Sequence, residues 1–141
     1  MILLDTNVVS EPMRPMPDAG VVGWIDAQAI ETLYLSVITV AELRFGVAVL
    51  PDGRRKDQLS ARLEGEVLPL FGDRILAFDL AASEAFARLM AGAQAKGKAI
   101  GKADGYIAAT AKAHGLAVAT RDAAPFHAAG VTVINPWVEA N

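Results

Sequence analysis

Short apolar runs alternate along the chain with longer segments whose apolar residues recur at helical spacing. The runs cover residues 2–4, 33–35, 74–78, 117–120 and 131–134. Each has the length of one buried strand. Because strands separated by helix-length segments pair in parallel, the pattern predicts an α/β fold with a central parallel sheet of about five strands flanked by helices. Since no repeat or linker interrupts the pattern, we predict a single domain over residues 1–141.

Signals for helix starts follow the predicted strands. Four such signals are Pro17-Asp18, Thr39, Pro51-Asp52 and Asp79. Aspartate and hydroxyl side chains cap helix N-termini, and proline is tolerated in the first turn. A further helix is predicted over residues 102–114, with Gly115 in the position that commonly ends a helix.

Four acidic residues stand after predicted strands or near the start of predicted helices. Asp5 follows the first strand, Glu42 lies one turn into the helix after the second, Asp104 begins the late helix, and Asp122 follows the fourth strand. In an open parallel sheet, the loops after the carboxyl ends of the strands form the binding crevice. We therefore predict that the four carboxylates meet at one edge of the sheet.

Each acid also has a purely structural explanation. Asp5 and Asp122 suit helix N-caps, and Asp104 suits the first turn of a helix, where the dipole favours negative charge. Thr39 and Glu42 match a capping box. Capping and catalysis are compatible because helix N-termini also favour an anionic substrate.

The four acids, if they converge, predict a metal site. Carboxylates within a few ångströms repel one another, so they take up protons or surround a cation. Oxygen ligands without histidine or cysteine suit Mg²⁺ or Mn²⁺, which can activate water and neutralise phosphoryl oxygens. The acids are therefore candidate metal ligands and catalytic residues of a phosphodiesterase. Thr6, Asn7 and Thr120 are candidates to support the ligands or contact the scissile phosphate.

The composition argues against other chemistries. The chain has no cysteine, two histidines and a net charge of −3, so thiol chemistry is absent and a nucleic acid must be held by local cations. The stretch Gly92–Ala99 is similar to a phosphate-binding loop, but Ala99 replaces the metal-binding hydroxyl and no strand directly precedes it. No apolar stretch has the roughly 20 residues of a membrane helix, and we expect a cytoplasmic location.

The sequence resembles the PIN-domain toxins of bacterial type II toxin–antitoxin modules, the VapC family, especially its FitB-like branch. The resemblance spans nearly the whole chain through MILLDTNVVSEP, LSVITVAELRFGV, KADGYIAATAKAHGL, VATRD and the closing NPW. It implies a PIN-like fold and a Mg²⁺- or Mn²⁺-dependent ribonuclease whose acidic cluster maps onto Asp5, Glu42, Asp104 and Asp122. It also implies a homodimer and a cognate antitoxin, typically with a ribbon-helix-helix end that binds operator DNA.

The chain departs from many relatives at the fourth acid. Asp122 follows Arg121 directly, and Pro125 stands where relatives carry an aspartate before a phenylalanine. The number of metal ions in the site, one or two, therefore remains open. Two alternative functions remain open: a catalytically weak PIN-fold partner that supports a DNA-binding antitoxin in operon repression, and a receiver-like domain in which Lys102 would partner a phosphorylated aspartate.

Overall fold

A parallel sheet lies at the centre of the chain, whose structure, a computed structural model, describes residues 1–139. Its strands are β1 (Ile2–Leu4), β2 (Leu33–Ser36), β3 (Ile75–Leu76), β4 (Ala117–Ala119) and β5 (Val133–Ile134). They lie in the order β3-β2-β1-β4-β5, and every neighbouring pair is parallel. The predicted fold class is confirmed. Three strands, β3, β4 and β5, are shorter than their apolar runs. Phe78 and Val131 lie in those runs but outside the paired residues, where they pack on the core.

Helices connect the strands and cover both faces of the sheet. They are α1 (Thr6–Ser10), α2 (Ala19–Ala27), α3 (Val37–Ala48), α4 (Arg54–Arg62), α5 (Leu68–Phe71), α6 (Leu80–Ala95), α7 (Lys102–His114), α8 (Ala123–Ala128) and α9 (Pro136–Glu139). A π-helical segment, Leu63–Val67, joins α4 to α5. None of the helices in residues 1–139 is long and apolar enough to cross a membrane.

Three predicted helix starts or ends are confirmed by capping contacts. Asp18 and Asp79 each accept a hydrogen bond from the amide three residues later, at 3.1 Å and 2.9 Å, and so cap α2 and α6. Helix α7 has the predicted bounds, and Gly115 follows it with a left-handed φ of 66°. A residue with a Cβ would be strained there, which is why glycine suits this position.

Two predicted helix starts are wrong. Helix α3 begins at Val37 rather than Thr39, because Ser36 at the end of β2 accepts a hydrogen bond from the Ile38 amide at 3.0 Å and caps the helix. The capping box of Thr39 and Glu42 is therefore wrong as well, since both residues lie inside α3. Helix α4 begins at Arg54, just after the predicted Pro51-Asp52 start.

The core consists of two layers, one on each face of the sheet. Leu3 and Val118 pair across β1 and β4 and belong to one layer, and Leu4 and Ala119 pair one residue later and belong to the other. Alternate strand residues point to opposite faces, so β1 is buried on both sides. Burial of both faces explains its uninterrupted apolar run and fixes the position of the next residue, Asp5.

Candidate functional site

The candidate site lies at the carboxyl edge of the three middle strands. Asp5 directly follows β1, Thr120 directly follows β4, and α3, which carries Glu42, directly follows β2. Asp104 lies in the first turn of α7. Because the strands are parallel, their carboxyl ends share one edge of the sheet.

Asp5 is a buried carboxylate with a defined set of hydrogen bonds. It is 5% exposed, and Oδ2 accepts from the Thr120 hydroxyl at 2.8 Å while Oδ1 accepts from the Thr6 amide at 2.8 Å. Burial raises the pKa of Asp5 above its ordinary value, and the bonds from Thr120 and Thr6 oppose that rise. The predicted capping role of Asp5 at α1 is confirmed.

Thr6 connects the first strand end to Glu42. Its hydroxyl donates to Glu42 Oε1 at 2.5 Å, and the fully buried Thr39 places its Oγ1 3.3 Å from the same hydroxyl. A side chain that follows β1 therefore fixes the orientation of an exposed carboxylate on α3. Thr39 was missed as a site residue because its position suggested a helix start.

Asn7 and Thr120 link the ends of β1 and β4. Asn7 Oδ1 accepts from the Arg121 amide at 3.3 Å, and its Nδ2 lies 3.4 Å from Asp5 Oδ2. Thr120, which is fully buried, accepts from the Asp122 amide at 3.0 Å through the oxygen that donates to Asp5. Asp122 is exposed and directly precedes α8. Its side chain makes no capping hydrogen bond to that helix.

Asp104 shows that the four acids interact electrostatically. Its pKa is raised to about 6, first by burial and then by the negative charges of Asp5, Asp122 and Glu42. Burial is the largest cause of the raised pKa of Asp5, and the charges of Glu42 and Asp122 raise that pKa further. Like charges disfavour one another's ionisation most strongly when they lie close together in a partly buried site. The structure thus brings together the acids that the sequence selected.

Two cations near the site have other partners. Arg44 forms a bidentate ion pair with Glu64, at 2.7 Å and 3.0 Å, and so is engaged with another carboxylate. The Arg121 guanidinium lies over the Trp137 ring, 5.2 Å from its centroid. The NPW motif therefore supports the loop that carries Asp122, a contact between distant residues that sequence spacing does not reveal.

The oxygen donors at this edge of the sheet are candidate ligands for a metal ion. Within residues 1–139, no three or more histidine, cysteine, aspartate or glutamate side chains are already arranged to hold one. The chemistry of the site nevertheless fits a hard divalent cation: the donors are carboxylate and hydroxyl oxygens, and the pKa of Asp104 is raised first by burial and then by neighbouring negative charges that a cation would neutralise.

Comparisons with known proteins agree with this geometry. The PIN domain family model matches residues 2–131. A VapC ribonuclease of Sinorhizobium fredii is 64% identical over 99% of the chain and 100% of its own length. The toxin FitB of Neisseria gonorrhoeae is 57% identical over 97% of the chain and 99% of its own. The crystal structure of FitAcB from that organism matches with a TM-score of 0.95 at 56% identity, covering 98% of this chain and 99% of the other.

The parallel sheet with acids at its carboxyl edge and the match over residues 2–131 define one class of protein: the chain belongs to the PIN-domain family. Within that family it falls among the VapC and FitB toxins of toxin–antitoxin systems, as its similarity over nearly the whole chain indicates.

Proposed function

We propose that this chain is a divalent-metal-dependent endoribonuclease and the toxin of a toxin–antitoxin pair. The observation that carries the proposal is the meeting of four carboxylates at the carboxyl edge of the sheet, where burial and then the charges of the other three acids raise the pKa of Asp104 to about 6. The identity of 64% with a VapC ribonuclease supports RNA as the substrate.

Asp5, Glu42 and Asp104 would hold Mg²⁺ or Mn²⁺, and Asp122 would assist directly or through water. When bound, the ion would supply an activated water and neutralise charge on the scissile phosphate. Thr120 and the Thr6 amide orient the Asp5 carboxylate, and the Thr6 hydroxyl orients Glu42. Asn7 holds the Arg121 amide, and so positions the loop that carries Asp122.

The test is cleavage of end-labelled RNA by antitoxin-free protein in Mn²⁺, Mg²⁺ or EDTA. Wild type should cut only with a divalent ion, and Asp104→Asn should not cut. Asp57→Asn, which removes an exposed carboxylate from the first turn of α4, is the matched control and should cut normally. Full metal-dependent cleavage by Asp104→Asn would contradict the assigned site.

The proposal extends to partners and location. The similar structures include FitAB bound to a DNA fragment, with a TM-score of 0.94 at 55% identity, so we infer a cognate antitoxin that masks the site and binds operator DNA, of the ribbon-helix-helix type. We also propose that the chain forms a homodimer and that it acts in the cytoplasm.

The same DNA-bound relative favours a second candidate function, in which the chain is a catalytically weak partner in operon repression. Operator binding by the antitoxin complex separates the two functions. A complex with Asp5→Asn toxin should bind operator DNA as the wild-type complex does, while the free variant no longer cuts RNA. If no condition gives cleavage by folded wild type and the complex still represses, the second function is correct.

A further inference from the structure

A groove of about 630 Å³ leads away from the acidic edge beside Asp104. One wall is α8, which contributes Pro125 and His127, and the other is the turn between α6 and α7, which contributes Lys98 and Gly101. Of the four acids, Asp104 is the one that lines this groove.

The backbone of Lys98 is fixed by the way α6 ends. The Lys98 amide donates to the Ala93 carbonyl at 2.9 Å, and the Gly97 amide donates to the Gln94 carbonyl at 3.0 Å. These two bonds, with Gly97 at a φ of +69°, form a Schellman motif. The backbone of Lys98, which lines the groove, is therefore held in a defined conformation.

The charges in the groove suit a phosphodiester backbone. The chain as a whole has a net charge of −3, so a nucleic acid gains attraction only where cations are locally exposed. Lys98 is exposed and, among the described residues, forms no ion pair with a carboxylate, unlike Arg14, Arg44, Lys56 and Arg88. Its ammonium is available to an anionic ligand.

The remaining lining determines which part of a nucleotide the groove can recognise. Apart from Lys98, His127 and Asp104, the described lining residues are small or apolar, with Ala99, Gly101 and Ala124 among them. Single-stranded nucleic acids are held without sequence preference by a cationic groove, and base preference usually comes from aromatic stacking or polar contacts to base edges. This groove offers a cation and an imidazole N–H, and apart from that imidazole its described lining has no aromatic ring on which a base could stack.

We propose that the RNA strand on one side of the scissile phosphate lies in this groove as a single strand, with the Lys98 ammonium binding a backbone phosphate and His127 donating a hydrogen bond to a backbone oxygen. The proposal rests on the proposed function and goes further, since it assigns a path for the strand and two contacts outside the acidic cluster. It also requires tolerance of base sequence at the nucleotides that this groove holds.

The test is binding of a fluorescent single-stranded RNA, measured by anisotropy in EDTA to prevent cleavage, over a range of salt concentrations. Lys98→Ala should weaken binding about tenfold and reduce the salt slope by about 0.7, the value for one lost phosphate contact on a single strand. Lys96→Ala is the matched control, because it lies two residues away, is exposed and does not line the groove. It should bind like wild type, and Lys98→Arg should retain most of the affinity.

Cleavage kinetics of the same proteins in Mn²⁺ give a second measurement. The loss in kcat/KM of Lys98→Ala should come through KM, and His127→Ala should show a smaller loss of the same kind. Equal affinities and salt slopes for Lys98→Ala and Lys96→Ala would contradict RNA binding in the groove, even if wild type cleaves RNA. If RNA binding depends on Lys98 but no protein cleaves RNA, the proposed nuclease function is contradicted and the proposed path of the RNA strand is supported. Neither binding nor cleavage by wild type would overturn both.

Discussion

The Asp104 carboxylate is held in an environment that disfavours its own charge. Its pKa is raised from an ordinary 3.8 to about 6 by burial and by the neighbouring acids. Between those pH values the folded state binds the proton more tightly than the unfolded state does, so stability falls as pH rises from about 4 to about 6 and is constant above. Because Asp104 is half-buried, solvent screening reduces this cost to about 1 kcal/mol at pH 7.

The first prediction concerns Asp104→Asn without metal. The variant should melt about 3 °C higher than wild type at pH 7.5 because it lacks the disfavoured charge. The difference should shrink towards zero at pH 4.5, where folded wild type is protonated at this position. Thermal melts in EDTA at both pH values measure the effect, with Asp57→Asn as the control. A difference that is independent of pH would contradict the coupling.

The second prediction concerns Thr120, the buried donor to Asp5. Thr120→Val keeps the shape but removes the hydroxyl, so Asp5 loses a hydrogen bond and its pKa rises further. We expect a loss of about 1–3 kcal/mol in stability and weaker Mn²⁺ binding at pH 7 that recovers at higher pH, because metal ligands must be ionised. Thr120→Ser should behave like wild type. Calorimetric titration of Mn²⁺ against pH tests this, and equal behaviour of the valine and serine variants would contradict it.

The position of each acid could be predicted from the sequence, whereas the roles of the acids as metal ligands and catalytic residues stay predictions. The acids were selected because each follows a strand or begins a helix, and the structure places all of them at one sheet edge. The contacts of Thr39 with Thr6 and of Arg121 with Trp137 were not predicted, because they join residues far apart in sequence whose proximity depends on the register of the sheet and the path of α9.

At the scale of helices, Gly105 allows α7 to pack closely against α6. A Cβ at Gly105 would lie 2.9 Å from Met90 Sδ and 3.0 Å from the Phe86 ring. The Phe86 ring is itself stacked on Tyr106, with centroids 4.6 Å apart, and has little freedom to move. The glycine next to Asp104 thus sets the spacing of two helices at the site.

The third prediction compares two glycine-to-alanine changes. Gly105→Ala should cost about 1 kcal/mol net, since overpacking outweighs the gain in helix propensity, and should reduce cleavage by displacing Asp104. Gly92→Ala in α6 meets nothing within 4 Å and should stabilise the protein by about 0.5–1 kcal/mol with normal activity. Denaturant unfolding and cleavage rates measure both variants. Similar stability changes for the two would contradict the packing role of Gly105.

The sequence predicts some helix bounds well and others poorly, for physical reasons. Helix α7 was predicted correctly because its apolar stripe ends at a glycine that adopts a left-handed φ. Helix α3 was predicted too late because Val37 and Ile38 are β-branched residues typical of strands, so they concealed the Ser36 cap. Local preference and the tertiary role of the residue agree in the first case and conflict in the second.

At the scale of the whole molecule, the order of the strands accounts for the site. The alternation of short apolar runs predicts a parallel sheet, but it does not give the order β3-β2-β1-β4-β5. That order places β1 between β2 and β4, so the residues after β1 can contact α3 on one side and Thr120 on the other. The register of Leu4 with Ala119 brings Asp5 level with Thr120, which is a long-range property that sequence periodicity leaves undetermined.

The fourth prediction follows from linkage between metal binding and folding. A divalent ion that binds only the folded chain raises its free energy of unfolding by about 2.7 kcal/mol when the free ion concentration is about 100 times the Kd. For a chain of this size, that gain corresponds to a rise of about 9 °C in Tm. Without metal, Asp104→Asn should be the more stable protein, because burial and the neighbouring acids disfavour the wild-type charge. In saturating Mn²⁺ wild type should be the more stable, because its acids bind the ion. Asp57→Asn should follow wild type in both conditions. Thermal melts across a Mn²⁺ titration measure this reversal, and an equal rise in Tm for all three proteins would mean that the ion binds elsewhere.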